Sequence, residues 1–105
     1  MFDQAVVEFD RVLESGEYVP ALMNLGNIHF LRNEYQIARE FYERAFEVQP
    51  DKATIVLALA RVNHELENYG TVRELYAALT ELDVVLAEQF AYLDLRGEEG
   101  TRAGH

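Results

Sequence analysis

Residues 19–52 read VPALMNLGNIHFLRNEYQIAREFYERAFEVQPDK, and residues 53–86 read ATIVLALARVNHELENYGTVRELYAALTELDVVL. The two stretches share a spaced set of residues that recurs after 34 positions. In the first stretch these are Leu25, Gly26, Tyr35, Ala38, Tyr42, Ala45 and Pro50, and in the second they are Leu59, Ala60, Tyr69, Val72, Tyr76, Leu79 and Val84. A fixed period of this length is typical of stacked helical hairpins, each too small to bury its apolar face alone. The repeat therefore predicts an all-α fold built from antiparallel helix pairs.

Apolar residues recur at three- and four-residue spacing along nearly the whole chain, as they do on one face of an amphipathic helix. We expect about six helices. Their predicted ranges are residues 2–14, 20–32, 35–48, 51–66, 69–82 and 84–95. Residues 97–105 contain no apolar anchor, so this stretch is predicted to be a disordered tail.

Local signals set the helix ends. Pro20 suits the first turn of a helix, where its missing N–H has no partner to lose. Asp51 and Asp83 are the predicted N-caps of the fourth and sixth helices, because a carboxylate there can accept a hydrogen bond from a free backbone N–H. Asn33-Glu34 and Glu67-Asn68 are the predicted turns within the two hairpins.

Composition restricts the kinds of partner. The chain has nineteen acidic and nine basic side chains and a formal charge of −10. Such a surface repels phosphate backbones and anionic lipids, so we expect no nucleic-acid or membrane partner. The sequence has no cysteine, no basic and apolar leader, and no apolar run of the length that spans a membrane. A soluble chain is expected, and a cytoplasmic location is favoured.

The first of the two stretches resembles the tetratricopeptide repeat. The resemblance rests on Asn24-Leu25-Gly26-Asn27, followed at matching spacing by Tyr35, Ala38, Tyr42, Ala45 and Pro50. It implies a right-handed superhelix in which the small residues Gly26 and Ala38 lie where two helices touch. The second stretch fits less well, because Val72 and Leu79 are bulkier than the usual alanines and Val84 replaces the proline.

Counted by this resemblance, residues 1–96 form a single domain. It is divided into a half repeat (1–18), two full repeats (19–52 and 53–86) and a second half repeat or capping helix (87–96). The first half repeat lacks the helix that normally precedes it. Either the chain is a piece of a longer array, which we favour, or another molecule covers that face.

No pattern of catalytic or metal-binding residues is present. His29 and His64 have no further ligand at metal-binding spacing, and His105 lies in the predicted tail. There is no glycine-rich phosphate loop and no arrangement typical of nucleophilic catalysis. We therefore expect no enzymatic activity, no cofactor and no metal site.

The resemblance implies that the first helix of each pair lines a concave groove that holds the ligand. The predicted partner-binding residues are Met23, Asn27, Phe30, Leu57, Arg61, His64 and Tyr92, and the third such helix would add Glu88, Ala91 and Leu95. Asn27 could hold a partner backbone, and Arg61 could hold a carboxylate. Related domains that grip acidic chaperone tails use a clamp of lysine, asparagine and arginine residues. Here only Asn27 matches that clamp, which argues against this ligand.

These observations favour a scaffold that binds another protein or a peptide in its groove. One alternative is a structural unit that self-assembles through exposed end helices, with a weak homo-oligomer expected through Val6 and Leu13 of the N-terminal helix. Another is a regulatory segment of a larger protein.

Overall fold

A computed structural model describes residues 18–94 of the chain. This part forms five α-helices and one 3-10 turn. They are α1 (Val19–Leu31), α2 (Tyr35–Val48), α3 (Ala53–Glu65), α4 (Tyr69–Leu82), α5 (Val84–Gln89) and the 3-10 turn Ala91–Leu93. Residues 18–94 contain no strand. The predicted first helix and the predicted tail lie outside the described residues.

The 34-residue period of the sequence is also the period of the structure. Helix α3 begins and ends 34 residues after α1, and α4 begins and ends 34 residues after α2. Each helix packs against the next one along the chain, so that α1–α2 and α3–α4 are hairpins and α5 continues the stack. The predicted all-α stack of antiparallel helix pairs is confirmed.

Each hairpin turns through a residue in the left-handed conformation, at Asn33 with φ of 62° and at Glu67 with φ of 63°. The N–H of the following residue reaches back to the helix, at 2.9 Å from Glu34 to the His29 carbonyl and at 2.9 Å from Asn68 to the Asn63 carbonyl. This six-to-one bond is the signature of a Schellman motif, which satisfies carbonyls at a helix C-terminus. Two residues other than glycine therefore occupy the position where glycine is usual.

A pair of side chains closes each of these turns at equivalent positions. His29 Nδ1 lies 2.8 Å from Glu34 Oε1, and Asn68 Nδ2 donates to Asn63 Oδ1 at 3.0 Å. His29 and Asn63 are both buried, and His29 also stacks on the ring of Phe41. A buried polar group needs a hydrogen-bonding partner, and here each one finds it on the residue that ends its turn. His29 thus has a packing role within its hairpin.

The core lies along the contacts between successive helices. Small side chains with no exposed surface, Ala38, Ala45 and Ala60, allow close approach of the helix backbones. Larger buried residues fill the space beside them. One group joins α2 to α3 through Tyr42, Leu59 and Val62, and another joins α3, α4 and α5 through Val56, Val72, Leu79, Ala87 and Leu93. The bulkier Val72 and Leu79 are accommodated without exposure.

One predicted N-cap is present and the other is wrong. Asp83 Oδ1 accepts a hydrogen bond from the Leu86 N–H at 3.0 Å, so Asp83 caps α5. Helix α3 begins later than predicted, at Ala53, and its N-cap is Lys52, which makes no side-chain capping bond. A turn closed by the Lys52 N–H and the Gln49 carbonyl includes Asp51 and so leaves this carboxylate before the helix start.

The last helix is shorter than predicted, since α5 ends at Gln89 rather than near Leu95. The Ala87 carbonyl accepts two hydrogen bonds, one from the Tyr76 hydroxyl at 2.9 Å and one from the Phe90 N–H at 3.0 Å. With both lone pairs engaged, this carbonyl does not bond the Ala91 N–H that an α-helix would offer next. The chain therefore turns at Phe90, and Leu93 is placed in the core with no exposed surface.

Candidate binding cleft

A cleft of about 340 Å³ opens between the two hairpins. Its lining comes from three helices. Asn27, Phe30 and Leu31 belong to α1, Tyr42 to α2, and Ala58 and Arg61 to α3. Three of the residues predicted to bind a partner, Asn27, Phe30 and Arg61, therefore meet in one depression. Asn27 and Arg61 occupy the same position of the 34-residue repeat, which explains why the stack brings them to the same face.

Tyr42 forms the floor of this cleft. Its ring is 2% exposed, and its hydroxyl donates to Asn27 Oδ1 at 2.6 Å. Burial raises the pKa of the Tyr42 phenol to about 12, and the nearby Arg61 charge lowers it by a smaller amount. The hydroxyl therefore remains protonated near neutral pH and remains a hydrogen-bond donor.

The Tyr42 bond also orients the Asn27 amide. Because Oδ1 is engaged, the two N–H groups of the amide nitrogen remain as hydrogen-bond donors. Asn27 is exposed, and its amide nitrogen bonds no other residue in the described part of the chain. Asn27 thus offers hydrogen-bond donors to the cleft.

Arg61 provides the positive charge of the cleft. Its Cζ atom lies 5.3 Å from the centre of the Phe30 ring and 5.5 Å from the centre of the Phe90 ring. Both distances are within the range of cation–π attraction. The side chain is exposed, and it forms no ion pair within residues 18–94. Its charge is therefore not neutralised by a carboxylate of the described chain.

The other predicted groove residues lie around the cleft. Met23 and Leu57 are partly buried and pack against the core. His64 meets the rings of Tyr69 and Tyr92 edge-on, with centroids 5.6 and 5.1 Å away, and Tyr92 is 50% exposed. Glu88 and Ala91 are exposed, whereas Leu95 lies outside the described residues.

Tyr42, Leu31 and Ala58 line the cleft but are not among the residues predicted from the sequence to bind a partner. The period alone indicates only a packing role for Tyr42. Its buried ring does pack, but its hydroxyl also reaches the cleft. The residue type could have indicated this second role, because a buried tyrosine hydroxyl usually has a hydrogen-bond partner. Leu31 gave no such signal, since the period does not show that a leucine at a helix end is 78% exposed.

Neither a metal site nor a membrane span is found in the described residues. Within 18–94, no group of three or more histidine or acidic side chains is arranged to hold a metal ion. Over the same residues, every helix is too short or too polar to cross a membrane.

Residues 19–52, which form α1, α2 and the turn that follows them, match the family model of the tetratricopeptide repeat. Over these 34 residues the chain is similar to a tetratricopeptide repeat. No curated protein matches the sequence. The tetratricopeptide repeat supplies Asn27, Phe30 and Leu31 from its first helix and Tyr42 from its second, so it forms one wall and the floor of the cleft. Tetratricopeptide repeats bind other proteins or peptides and are typically non-catalytic, so the match supports, in general terms, a protein–protein interaction module.

Proposed function

We propose that the cleft between the two hairpins binds a segment of a partner protein and that Arg61 anchors an acidic group of that segment. The proposal rests on the exposure and the unpaired charge of Arg61 in the described residues. Arg61 is an exposed cation beside a cleft, without an ion pair in the described residues, in a chain whose formal charge is −10. A carboxylate would gain charge-assisted hydrogen bonds from its guanidinium.

The other lining groups narrow the chemistry of the partner. Asn27 offers amide donors that suit a backbone carbonyl, whereas Phe30, Leu31 and Ala58 provide apolar surface. The acidic chain as a whole repels a strongly acidic partner. The favoured ligand is therefore a segment with one acidic group among neutral and apolar residues.

The size of the cleft supports a short segment rather than a folded domain. A volume of about 340 Å³ is at the small end of ligand sites. Such a site accepts a few side chains of an extended or helical segment, with the remaining contacts spread over the neighbouring surface of His64 and Tyr92. Phe90 lies between this surface and the cleft, since its ring centre is 6.5 Å from that of Tyr92 and 5.5 Å from Arg61 Cζ.

A selection experiment tests the proposal. Peptides chosen from a random displayed library by their binding to the chain would be measured by calorimetry against the parent chain and against Arg61→Glu. With the ligand covering Arg61 and excluding water from the ion pair, we expect the substitution to weaken binding by about 2–5 kcal/mol, because it reverses the charge and leaves the ligand carboxylate unpaired. The control is Arg44→Glu, which changes the net charge equally. Arg44 is also exposed and also lies over a ring, that of Phe41, but outside the cleft.

We expect the Arg44 variant to retain the parent affinity and both variants to retain the parent circular dichroism spectrum. An equal loss in the two variants would show that net charge, not the cleft, governs binding. An affinity unaffected by Arg61→Glu would remove Arg61 from the site.

A further inference from the structure

The segment that follows α5 contacts the same face of α3 that carries Arg61. The Phe90 ring lies 5.5 Å from Arg61 Cζ, and the Tyr92 ring lies 5.1 Å from the ring of His64. Arg61 and His64 are three residues apart and therefore lie on one face of α3. Along this face of α3, Phe90 therefore contacts Arg61, and Tyr92 contacts His64.

Buried contacts fix this segment on both sides of Phe90. Before it, Ala87 is 1% exposed, and its carbonyl accepts the bond from the Tyr76 hydroxyl. After it, Leu93 has no exposed surface and packs in the cluster of α3 and α4. The position of the Phe90 ring is therefore set by the core rather than by Arg61.

We propose that Phe90 is a positioning residue for Arg61, acting together with Phe30. A free arginine side chain has several rotatable bonds and loses rotamer entropy when it is immobilised. Two rings fixed by the fold restrict the guanidinium before a ligand arrives, and this lowers the entropic cost of binding. The consequence for binding rests on the proposed function, whereas the restriction of Arg61 does not.

This arrangement also distinguishes arginine from lysine at position 61. A guanidinium stacks on an aromatic face and still has N–H groups along its edge for a carboxylate. The lysine ammonium is not planar, so it cannot stack on a ring and donate hydrogen bonds from an edge in this way. The segment that follows α5 would therefore contribute to the affinity of the cleft although it does not line it.

The first test needs no ligand. In the free chain, nuclear magnetic resonance would compare the δ-methylene protons of Arg61 in the parent, Phe90→Leu and Phe90→Tyr. We expect ring currents to shift these protons upfield in the parent and in Phe90→Tyr, and the shift to decrease in Phe90→Leu. Phe90→Tyr keeps the ring and so controls for a substitution at this position. Parent-like shifts in Phe90→Leu, or unshifted protons in the parent, would overturn the proposal whatever the chain binds.

The second test uses two blocked tripeptides as probes, acetyl-Leu-Glu-Leu-amide and acetyl-Leu-Gln-Leu-amide. We expect Phe90→Leu to weaken binding of the glutamate probe by about two- to fivefold, the effect of one cation–π contact, and to leave the glutamine probe unchanged. The same substitution in an Arg61→Gln background should have no effect. A loss that persists in that background would show that Phe90 acts independently of Arg61 and would overturn the proposal.

The two tests separate this inference from the proposed function. If the parent chain binds the two probes equally, a carboxylate is not the ligand of Arg61 and the proposed function fails. The proton shifts of Arg61 would still decide whether Phe90 positions it.

Discussion

Gly26 in α1 and Gly70 in α4 are helical glycines in very different surroundings. A Cβ atom added to Gly26 would lie 2.6 Å from Cδ1 of the Tyr42 ring, whereas one added to Gly70 would meet nothing within 4 Å. The Tyr42 ring cannot move aside easily, because it is buried and its hydroxyl is bonded to Asn27. Gly26 is therefore required by close approach to a ring rather than by backbone conformation.

We expect Gly26→Ala to lower the free energy of unfolding by about 1–3 kcal/mol through overpacking. Helix propensity opposes this, since alanine is favoured over glycine by about 1 kcal/mol within a helix. Urea denaturation would measure the change. Gly70→Ala is the matched control and should be neutral or stabilising. A Gly26→Ala variant as stable as its parent would mean that the Tyr42 ring does not press on α1.

At the level of residues, the period predicted part of the cleft. It placed Asn27, Phe30 and Arg61 on one face because residues 34 apart, or one helical turn apart, share a face in a stack. It could not assign two roles to Tyr42, because a repeat pattern gives each position a single environment. The contact of Phe90 with Arg61 could not be predicted from the period, because it depends on where α5 ends.

Among the elements, α5 is the shortest helix described, with six residues, and it begins with a capping side chain. We expect Asp83→Ala to lower the free energy of unfolding by about 0.5–2 kcal/mol, because it removes the bond to the Leu86 N–H. Asp51→Ala is the control. It also removes a carboxylate near a helix start, but α3 has no side-chain cap, so its stability should be unchanged.

Thermal or urea denaturation of the two variants would compare these effects. Equal losses would indicate a general effect of charge rather than a capping bond. A loss confined to Asp51→Ala would mean that α3 begins one residue earlier than described.

The sequence predicted the elements well where signals were local and poorly where they were not. The bounds of α2 and α4 were predicted correctly from their own apolar period and turns. The end of α5 was not, since it depends on the Tyr76 hydroxyl, which lies eleven residues from Ala87 in the sequence. A hydrogen bond between two helices leaves no trace in the periodicity of either one.

For the whole molecule, self-association remains the main alternative to a monomeric scaffold. The sequence predicts a weak homo-oligomer through Val6 and Leu13, which lie outside the described residues. At the other end of the stack, Val84 is 53% exposed and Val85 is 61% exposed. Apolar side chains exposed next to one another are candidate contact points between copies of a chain.

Light scattering over a range of concentrations would decide between the two ends. We expect the double change Val6→Glu and Leu13→Glu to abolish any dimer, because a buried unpaired carboxylate is strongly unfavourable. The matched double change Val84→Glu and Val85→Glu should leave it intact. A dimer that survives the first pair of changes and is lost with the second would place the interface at α5.

Helices that are adjacent in the sequence pack against each other, and this affects how the protein folds during its synthesis on the ribosome. Because α2 packs on α1, that hairpin can begin to form before residues 53–65 have left the exit tunnel. Contacts of such short sequence separation also form quickly, in microseconds to milliseconds for helical proteins of low contact order. A single hairpin cannot bury its own apolar face, so Tyr42 is covered only when Leu59 and Val62 follow it out of the exit tunnel. The nascent chain would thus add one half-formed layer at a time, and each new hairpin would complete the burial of the one before it.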